Sequence, residues 1–309
     1  METVVESTAR PNARPARWRG IGWRVVRSAL LIYLGVSLVL SMMQTMMIFP
    51  GTMSQGTPAS IVRPDPSREL LELKTPDGQR VAACFGQALT IDGTPHPHAR
   101  TKPTILYFYG NGMCMADAIG EFTKLRRLGN NVIVCDYLGY GMSSGKPSET
   151  GCYAAAEAVW EHAINRPDID KAKIVPMGWS LGAGAAIELA STKPVAALGI
   201  FSPFTSVADM ARRVMPFFPT SLLLRHRFDN ETKLAKVTCP ILIMHGTRDA
   251  IIPFEMSQRL ARIAGHRATF EPVAGADHND LFDVGGEEMF QTIGRFLESL
   301  KQPPPAPAR

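Results

Sequence analysis

Hydrophobic residues follow two different patterns along this chain. Residues 28–49 are almost continuously apolar, and Gln44 is the one strongly polar residue among them. After residue 69, short apolar runs of strand length alternate with stretches in which apolar residues recur at helical spacing. The first pattern is typical of a helix that crosses a membrane, and the second of a mostly parallel sheet with helices on both faces.

The apolar segment is long enough to anchor the chain in a membrane. As a helix it would extend roughly 33 Å, which spans the hydrocarbon core of a bilayer. Six arginines precede it, whereas Arg63 alone lies close behind it. The positive-inside rule therefore predicts a basic cytoplasmic N-terminus over residues 1–27 and places the rest of the chain in the periplasm or outside the cell. The six arginines are Arg10, Arg14, Arg17, Arg19, Arg24 and Arg27.

Two alternatives to an anchor are a cleaved secretory signal and a helix buried in a globular core. A signal peptide has a shorter apolar core than residues 28–49 and ends at a cleavage site of small residues, which is not evident here. The length of the run also favours a bilayer span over a core helix. We therefore predict a retained transmembrane helix over residues 28–49.

The rest of the chain is predicted to contain a linker, one globular domain and a tail. Residues 50–68 carry several prolines and form the linker, in which residues 51–65 act as a tether. The domain covers residues 69–301, and the Pro-rich tail, residues 302–309, is not expected to pack. Predicted strands are 69–75, 80–85, 104–109, 132–135, 173–177, 195–201, 240–244 and 267–273, the first two paired antiparallel. Predicted helices are 116–127, 153–164, 181–190, 254–263 and 287–300.

Charge and cysteine content argue against several functional classes. The formal net charge of +5 is concentrated in the N-terminal arginines, so no nucleic-acid-binding surface is indicated. The five cysteines show no C-x-x-C spacing, which argues against a zinc site or a thioredoxin-like redox centre. No metal and no cofactor are predicted.

The most informative motif is the G-x-S-x-G sequence from Gly178 to Gly182, with Ser180 at its centre. An apolar strand is predicted before it and an Ala-rich helix after it, which is the setting of a nucleophile elbow. In such an elbow a strained turn projects one hydroxyl above the sheet, and the two glycines remove the Cβ atoms that would collide there. Because the motif also occurs in ordinary tight turns, the assignment of Ser180 as a nucleophile depends on partners elsewhere in the chain.

A serine hydroxyl needs a base, and the base needs an acid that fixes its tautomer. Among the seven histidines, His278 follows the last predicted strand, where a short loop can carry it back over the elbow. Asp249 follows the strand 240–244 through a short turn and is predicted to be the acid. His245 ends that strand and has two candidate roles, an approach to the pocket and a structural role, of which the structural role is favoured.

Two further carboxylates and two backbone amides complete the predicted site. Asp277 and Asp280 flank the histidine and are interpreted as solvated loop residues. Attack on a carbonyl creates an oxyanion, which fixed backbone N–H groups stabilise. The amide of Leu181, directly after the serine, is predicted to donate one hydrogen bond to it. The amide of Asn111, in the Gly-rich loop after the strand 104–109, is predicted to donate the other.

Taken together, these motifs resemble those of α/β-hydrolases, whose triads also follow the chain order Ser, Asp, His. More narrowly, the chain is similar to membrane-anchored α/β-hydrolase-domain proteins of the Bem-like and serine aminopeptidase-like branch. The resemblance covers residues 69–300 and rests on 109–112, 136–143, 178–182, 227–229, 245–249 and 277–279. This chain departs from the branch at Tyr109, Leu138 and Ala183, where His, Arg and Gly are usual.

The resemblance implies a membrane-anchored serine hydrolase of α/β-hydrolase fold that cleaves acyl esters or thioesters of small-molecule or lipid-like substrates. A serine aminopeptidase-like amide hydrolase and a non-catalytic binding protein on the same fold are the alternatives. Residues 202–236 leave the strand–helix pattern and carry many large apolar side chains. They are predicted either to form a small lid over an acyl pocket or only to pack against the domain.

Overall fold

The computed structural model describes residues 16–300. The predictions for residues 1–15 and for the tail after residue 300 lie outside the described residues. The described chain divides into two compact units, residues 16–43 and residues 44–300.

The first unit consists of a single long helix. Helix α1 runs from Ala16 to Ile48, so its last turn belongs to the second unit. Within the described residues, Gly22–Ile48 is the one helical stretch long and apolar enough to cross a membrane, and only 6% of its apolar window is buried. A buried core helix would not leave side chains such as Leu31 and Met42 more than half exposed. A membrane anchor and a signal sequence both remain consistent with this helix.

The second unit is built on one eight-stranded sheet. Its strands are β1 (Glu69–Lys74), β2 (Arg80–Gly86), β3 (Thr104–Phe108), β4 (Asn131–Cys135), β5 (Ile174–Trp179), β6 (Leu198–Phe201), β7 (Ile241–Gly246) and β8 (Ala268–Val273). The helices after α1 are α2 (Ile119–Arg127), α3 (Glu149–Asn165), α4 (Leu181–Thr192), α5 (Val207–Val214), α6 (Thr220–Leu223), α7 (Asn230–Leu234), α8 (Phe254–Ala264) and α9 (Leu281–Ser299).

The strands lie in the order β1-β2-β4-β3-β5-β6-β7-β8. Strand β2 is antiparallel to both of its neighbours, and the pairs from β4 to β8 are parallel. Helices cover both faces of the parallel part, which is why β3, β4 and β7 are buried along their whole length and read as continuous apolar runs. The predicted α/β fold with a mostly parallel sheet is confirmed.

Element boundaries differ from the prediction mainly at helix ends. Helix α3 begins at Glu149, several residues before the predicted 153, because the Ser148 side chain caps it by accepting a hydrogen bond from the Gly151 amide at 2.9 Å. Helix α9 begins at Leu281 and is interrupted at Gly286, where φ is +49°. The predicted start at residue 287 therefore marks the kink and not the beginning of the helix.

The segment predicted to be a tether is packed against the domain at its N-terminal end. A short 3₁₀ helix, Pro50–Ser54, follows α1, and Gly51 is buried within it. The amide of Gly56 donates a hydrogen bond to the carbonyl of Gly141 at 2.9 Å, and Gln55 Nε2 donates one to the Ser143 carbonyl at 2.9 Å. This part of the linker is held by hydrogen bonds, which the proline content of the sequence does not reveal.

The excursion between β6 and α8 combines packed and exposed apolar residues. Phe204 and Phe228 are buried and pack edge-on with ring centroids 6.2 Å apart. Val214 and Leu222, in contrast, are exposed by 75% and 83%. Phe204 and Phe228 show that part of the apolar content of this excursion serves ordinary packing. Val214 and Leu222 form an exposed apolar surface on α5 and α6.

Candidate active site

The strand β5 runs into helix α4 through Ser180, whose backbone has φ 53° and ψ −117°. Non-glycine residues rarely adopt positive φ, so the turn is strained, as a nucleophile elbow requires. A Cβ on Gly178 would overlap the carbonyl of Gly182, and a Cβ on Gly182 would overlap the carbonyl of Phe108 in β3. Both glycines of the motif are therefore needed for α4 to approach the sheet this closely.

The structure brings the three predicted side chains together. His278 Nε2 lies 2.9 Å from Ser180 Oγ, and His278 Nδ1 lies 2.7 Å from Asp249 Oδ2. Ser180 is 6% exposed and His278 5% exposed, so the hydroxyl and the imidazole are shielded but not sealed from solvent. The residues are separated by up to 98 positions in the chain, and the sheet places them at the carboxyl ends of β5, β7 and β8, where α/β folds bind ligands.

The Asp249 carboxylate accepts hydrogen bonds at both oxygens. Oδ1 accepts from the amides of Ile251 at 3.0 Å and Ile252 at 2.7 Å, in the turn after β7. Oδ2 accepts from His278 and lies 3.1 Å from His245 Nε2. Burial of the carboxyl raises its pKa, but the hydrogen bonds from the two histidines outweigh burial and hold the pKa of Asp249 well below its usual range. The group is therefore an anion at neutral pH.

The loop that carries His278 is braced by its own acidic residues. The Asp277 side chain accepts hydrogen bonds from the amides of Ala250 at 2.8 Å and His278 at 2.7 Å, which ties the histidine loop to the loop of the acid. Asp280 accepts one from the amide of Asp277 at 2.6 Å. These backbone hydrogen bonds lower the pKa of Asp277. The two residues hold the loop in place, which the interpretation as solvated side chains misses.

An aromatic residue of the elbow covers the imidazole. The ring of Trp179 stacks on His278 with centroids 5.5 Å apart and an interplanar angle of 28°. Phe282, at the start of α9, packs edge-on against the same indole at 5.7 Å. This role could not be predicted from the sequence, because the position before the serine in a G-x-S-x-G motif accepts many residues.

The loop after β3 passes directly over the elbow. A Cβ on Gly110 would lie 3.6 Å from the Ser180 Cβ and 3.0 Å from the Trp179 ring. The carbonyl of Asn111 accepts hydrogen bonds from the Gly51 amide at 2.9 Å and the Tyr140 hydroxyl at 3.1 Å. These two hydrogen bonds fix the position of the Asn111 carbonyl.

Leu181, the other predicted oxyanion donor, is the first residue of α4. The first amides of a helix have no acceptor within the helix, and the helix dipole gives them a partial positive charge. The Leu181 amide is therefore located where it can stabilise an anion beside Ser180. Its role and that of the Asn111 amide stay predictions.

The hydroxyl of Tyr109, in the loop after β3, has a clear partner. It donates a hydrogen bond to Asp136 Oδ1 at 2.8 Å, while Asp136 also accepts from the amides of Met115 at 2.6 Å and Met142 at 2.7 Å. Burial raises the pKa of Asp136, against the opposing effect of these hydrogen bonds. The carboxyl joins the loop after β3 to the loop after β4, so residues 136–143 support the loop that contains Asn111. The Tyr137 hydroxyl adds a hydrogen bond to the Tyr109 carbonyl at 2.8 Å.

Among residues 16–300, no group of three or more His, Cys, Asp or Glu side chains is arranged to hold a metal ion. The five cysteines are free thiols; four are buried, and Cys239 is partly exposed.

The elbow, the strand order and the hydrogen-bonded Ser–His–Asp side chains together define an α/β-hydrolase. Sequence comparison agrees, since the human alpha/beta hydrolase domain-containing protein 17B is 33% identical over 239 residues, which cover 76% of this chain and 74% of that protein. The chain belongs to the α/β-hydrolase family.

Other relatives and solved structures are consistent with this family. An uncharacterized protein of Mycobacterium tuberculosis is 33% identical over 274 residues, covering 88% of this chain and 94% of that protein. The Arabidopsis thaliana alpha/beta hydrolase domain-containing protein WAV2 is 29% identical over 291 residues, covering 87% and 91%. An esterase of Pyrococcus furiosus shares the fold with a TM-score of 0.63 at 20% identity, covering 78% of this chain and 96% of the esterase chain. No protein-family model matches the sequence.

Proposed function

We propose that the protein is a serine hydrolase that cleaves carboxylic esters or thioesters through an acyl-enzyme on Ser180. The observation that carries the proposal is the continuous hydrogen-bonded path from Ser180 Oγ through the His278 ring to the Asp249 carboxylate. A non-catalytic member of the family would not need these three side chains to be hydrogen-bonded to one another. Membership of the α/β-hydrolase family supports a hydrolytic activity but does not indicate which acyl group is cleaved.

The reaction follows from the positions of these atoms. His278 Nε2 takes the proton of Ser180 as the hydroxyl attacks the acyl carbon, and Asp249 stabilises the imidazolium through Nδ1–H. The amides of Leu181 and Asn111 stabilise the oxyanion of the tetrahedral intermediate. The imidazolium then gives its proton to the leaving alcohol or thiol. A water molecule, activated by the same ring, hydrolyses the acyl-enzyme and restores Ser180.

An apolar acyl group is the substrate class that the surroundings favour. The excursion between β6 and α8 carries the exposed Val214 and Leu222 as well as the buried Phe204 and Phe228. Two solved structures of the same fold are those of an esterase and a monoacylglycerol lipase, the second with a TM-score of 0.52. These observations support an ester or thioester with an apolar acyl chain ahead of an aminoacyl amide.

The proposal includes retention of α1 as a membrane anchor. Gln44 Nε2 donates to Leu223 O at 3.0 Å, and Gln44 Oε1 accepts from the Arg225 amide at 2.7 Å. Asn111 Nδ2 donates to the Ile48 carbonyl at 3.2 Å. Cleavage of a signal sequence within or after the last turn of α1 would remove these contacts from the domain. The contacts therefore support retention of the helix over its cleavage.

The arginine-rich N-terminus then lies in the cytoplasm and the domain on the opposite side of the membrane. Free thiols are compatible with that compartment when they are buried and protonated. Burial raises the pKa of Cys84 and of Cys239 to about 11. Cys114, Cys135 and Cys152 are also buried, and their pKa values are raised for the same reason.

A fluorophosphonate probe tests the catalytic serine. We expect the purified full-length protein to be labelled and Ser180→Ala to lose all labelling and hydrolysis. Ser191→Ala, on the same helix α4 but hydrogen-bonded to the Glu188 carbonyl, is the matched control and should react as the wild type does. If the folded wild type is not labelled, the chain is a binding protein that has kept the fold.

A substrate panel tests the leaving group. Para-nitrophenyl esters and acyl thioesters of increasing chain length are compared with aminoacyl anilides. We expect hydrolysis of the esters and thioesters, with kcat/KM rising from acetyl to medium chains. Faster hydrolysis of the anilides would instead identify an aminopeptidase-like enzyme.

A further inference from the structure

A second histidine lies directly behind the acid of the triad. His245 is the fifth residue of β7, is fully buried, and has its Nε2 atom 3.1 Å from Asp249 Oδ2. We infer that His245 is a positioning residue, which holds the Asp249 carboxylate in the orientation that His278 requires. The inference deepens the proposed serine hydrolase function and rests on it.

The hydrogen-bond partners of His245 fix which ring nitrogen faces the acid as a donor. Nε2 faces two acceptors, Asp249 Oδ2 and the Ile252 carbonyl at 2.9 Å. Since neither group can donate, Nε2 carries the hydrogen in every protonation state of the ring. Nδ1 is hydrogen-bonded to the hydroxyl of Ser257, which can donate to it. The ring therefore presents its Nε2–H to the carboxylate and to the Ile252 carbonyl together.

The elements around His245 keep the ring in one orientation. Ser257 is a fully buried residue of α8, and its hydroxyl also lies 3.5 Å from the Pro203 carbonyl. Phe254, in the first turn of α8, packs edge-on against the imidazole with centroids 5.7 Å apart. The histidine is held by α8 on one side and by the turn after β7 on the other, so it cannot rotate away from the acid.

The carboxylate is saturated with donors as a result. The Ile251 and Ile252 amides bind Oδ1, and the two histidine rings bind Oδ2. Without His245, Oδ2 would keep the His278 donor alone, and the carboxylate could tilt about its last side-chain bond. A tilt of this kind moves the imidazole relative to Ser180, and small displacements of reacting groups have large effects on rate.

A buried histidine can also serve only as packing. The Ile252 carbonyl and the Ser257 hydroxyl would satisfy the ring without Asp249. The two roles predict different effects of mutation on the reaction rate. Loss of a packing residue lowers the rate by the same factor whether or not the Asp249 carboxylate is present. A positioning residue contributes only through the acid.

The first experiment replaces the ring in the full-length protein. In His245→Leu the N–H is lost; in His245→Gln a side-chain amide can still donate to the carboxylate. We expect kcat for ester hydrolysis to fall about ten- to a hundredfold in His245→Leu, which corresponds to the loss of one hydrogen bond to a charged group. KM should change less than about twofold, and His245→Gln should recover most of the rate. An equal loss of kcat in His245→Leu and His245→Gln would contradict the inference.

The second experiment is a double-mutant cycle with Asp249→Asn, followed by the rate of fluorophosphonate labelling. If His245 acts through the acid, His245→Leu costs less than about threefold in the Asp249→Asn background. A loss as large as in the wild-type background would show a packing role and overturn the inference. Where His245→Leu does not fold, the same cycle is made with Ser257→Ala, which removes the hydroxyl that holds the His245 ring through Nδ1 and leaves the ring itself in place.

The outcomes separate this inference from the proposed function. Wild-type protein without labelling at Ser180 contradicts the proposed function itself. Wild-type protein that is labelled, with His245→Leu reacting at the same rate, contradicts only the role of His245. Loss of rate that is non-additive with Asp249→Asn supports both.

Discussion

Ionised Asp249 is the residue on which the orientation of the imidazole depends. Replacement by asparagine keeps the size of the side chain but presents an amide, so His278 adopts the wrong tautomer or loses its partner. We expect kcat of Asp249→Asn to fall about 10⁴-fold, in line with the general cost of this change in a triad. Steady-state ester hydrolysis measures the effect. Asp283→Asn, an exposed residue of the first turn of α9, is the control and should keep full activity.

The lowered pKa of Asp249 also has a consequence for stability. The folded protein holds this carboxyl ionised at pH values where the unfolded chain, with a carboxyl pKa of about 3.9, already binds a proton. The stabilising contribution is therefore complete above about pH 5 and is lost as the pH falls toward the folded-state pKa. We expect this group to lower the free energy of unfolding by up to about 1.4 kcal/mol per pH unit between about pH 4 and 2.

Denaturant unfolding at several pH values checks this expectation. Over the acid range, the free energy of unfolding should fall less steeply with pH in Asp249→Asn than in the wild type, because asparagine takes up no proton. Parallel plots for the two proteins would mean that the carboxyl has the same pKa in the folded and unfolded chains.

Among elements, the approach of α4 to the sheet depends on Gly182. An added Cβ would overlap the backbone carbonyl of Phe108, which cannot move without displacing β3. We expect Gly182→Ala to lower Tm by roughly 5–10 °C, as for a destabilisation of about 3 kcal/mol. Gly120→Ala, in α2 with open space around it, should leave Tm unchanged or raise it slightly. Thermal unfolding followed by circular dichroism compares the two variants.

The 3₁₀ turn after α1 supports the loop of the predicted oxyanion donor. The Gly51 amide donates to the Asn111 carbonyl, and a Cβ on Gly51 would overlap the Tyr140 ring and lie 2.7 Å from that carbonyl. We expect Gly51→Ala to shift the loop and reduce kcat at least about tenfold, because the Asn111 amide moves relative to the serine.

The matched control is Gly35→Ala, which changes α1 itself at a position with no atom near the added Cβ. Hydrolysis rates of the two variants in the same detergent measure the difference. Full activity of Gly51→Ala would mean that the turn is only a connection and does not shape the site.

At the scale of the molecule, the proposed topology can be tested with reporters on the intact chain. We expect an enzyme reporter that is active only after export to work when it is fused behind the C-terminus, and a cytoplasm-dependent reporter to work when it is fused to the N-terminus. Alkaline carbonate should leave the protein in the membrane fraction. Release into the soluble fraction with a shortened N-terminus would identify the apolar segment as a cleaved signal.

Part of this architecture could be predicted from the sequence because it depends on local patterns. Alternating strand and helix periodicity reports which positions are buried, and this was sufficient for the mostly parallel sheet. The G-x-S-x-G motif reports a strained turn between two such elements. Ser180, Asp249 and His278 could be chosen because each follows a predicted strand, and strand ends converge at one edge of a parallel sheet.

Other features were decided only by the tertiary structure. His245 ends an apolar strand, and nothing in its neighbourhood in the sequence shows that its ring reaches the acid. Asp277 reads as a loop carboxylate until the fold brings the Ala250 amide to it. The turn at Gly51 was predicted to be part of a tether. Its hydrogen-bond partner, the Asn111 carbonyl, lies 60 positions away in a different loop and cannot be recognised from the sequence. The sequence by itself determined the sheet, the elbow and the three side chains of the proposed triad, since these depend on local burial and turn strain. The supports of the site depend on hydrogen bonds between distant segments, and those exist only once the chain has folded.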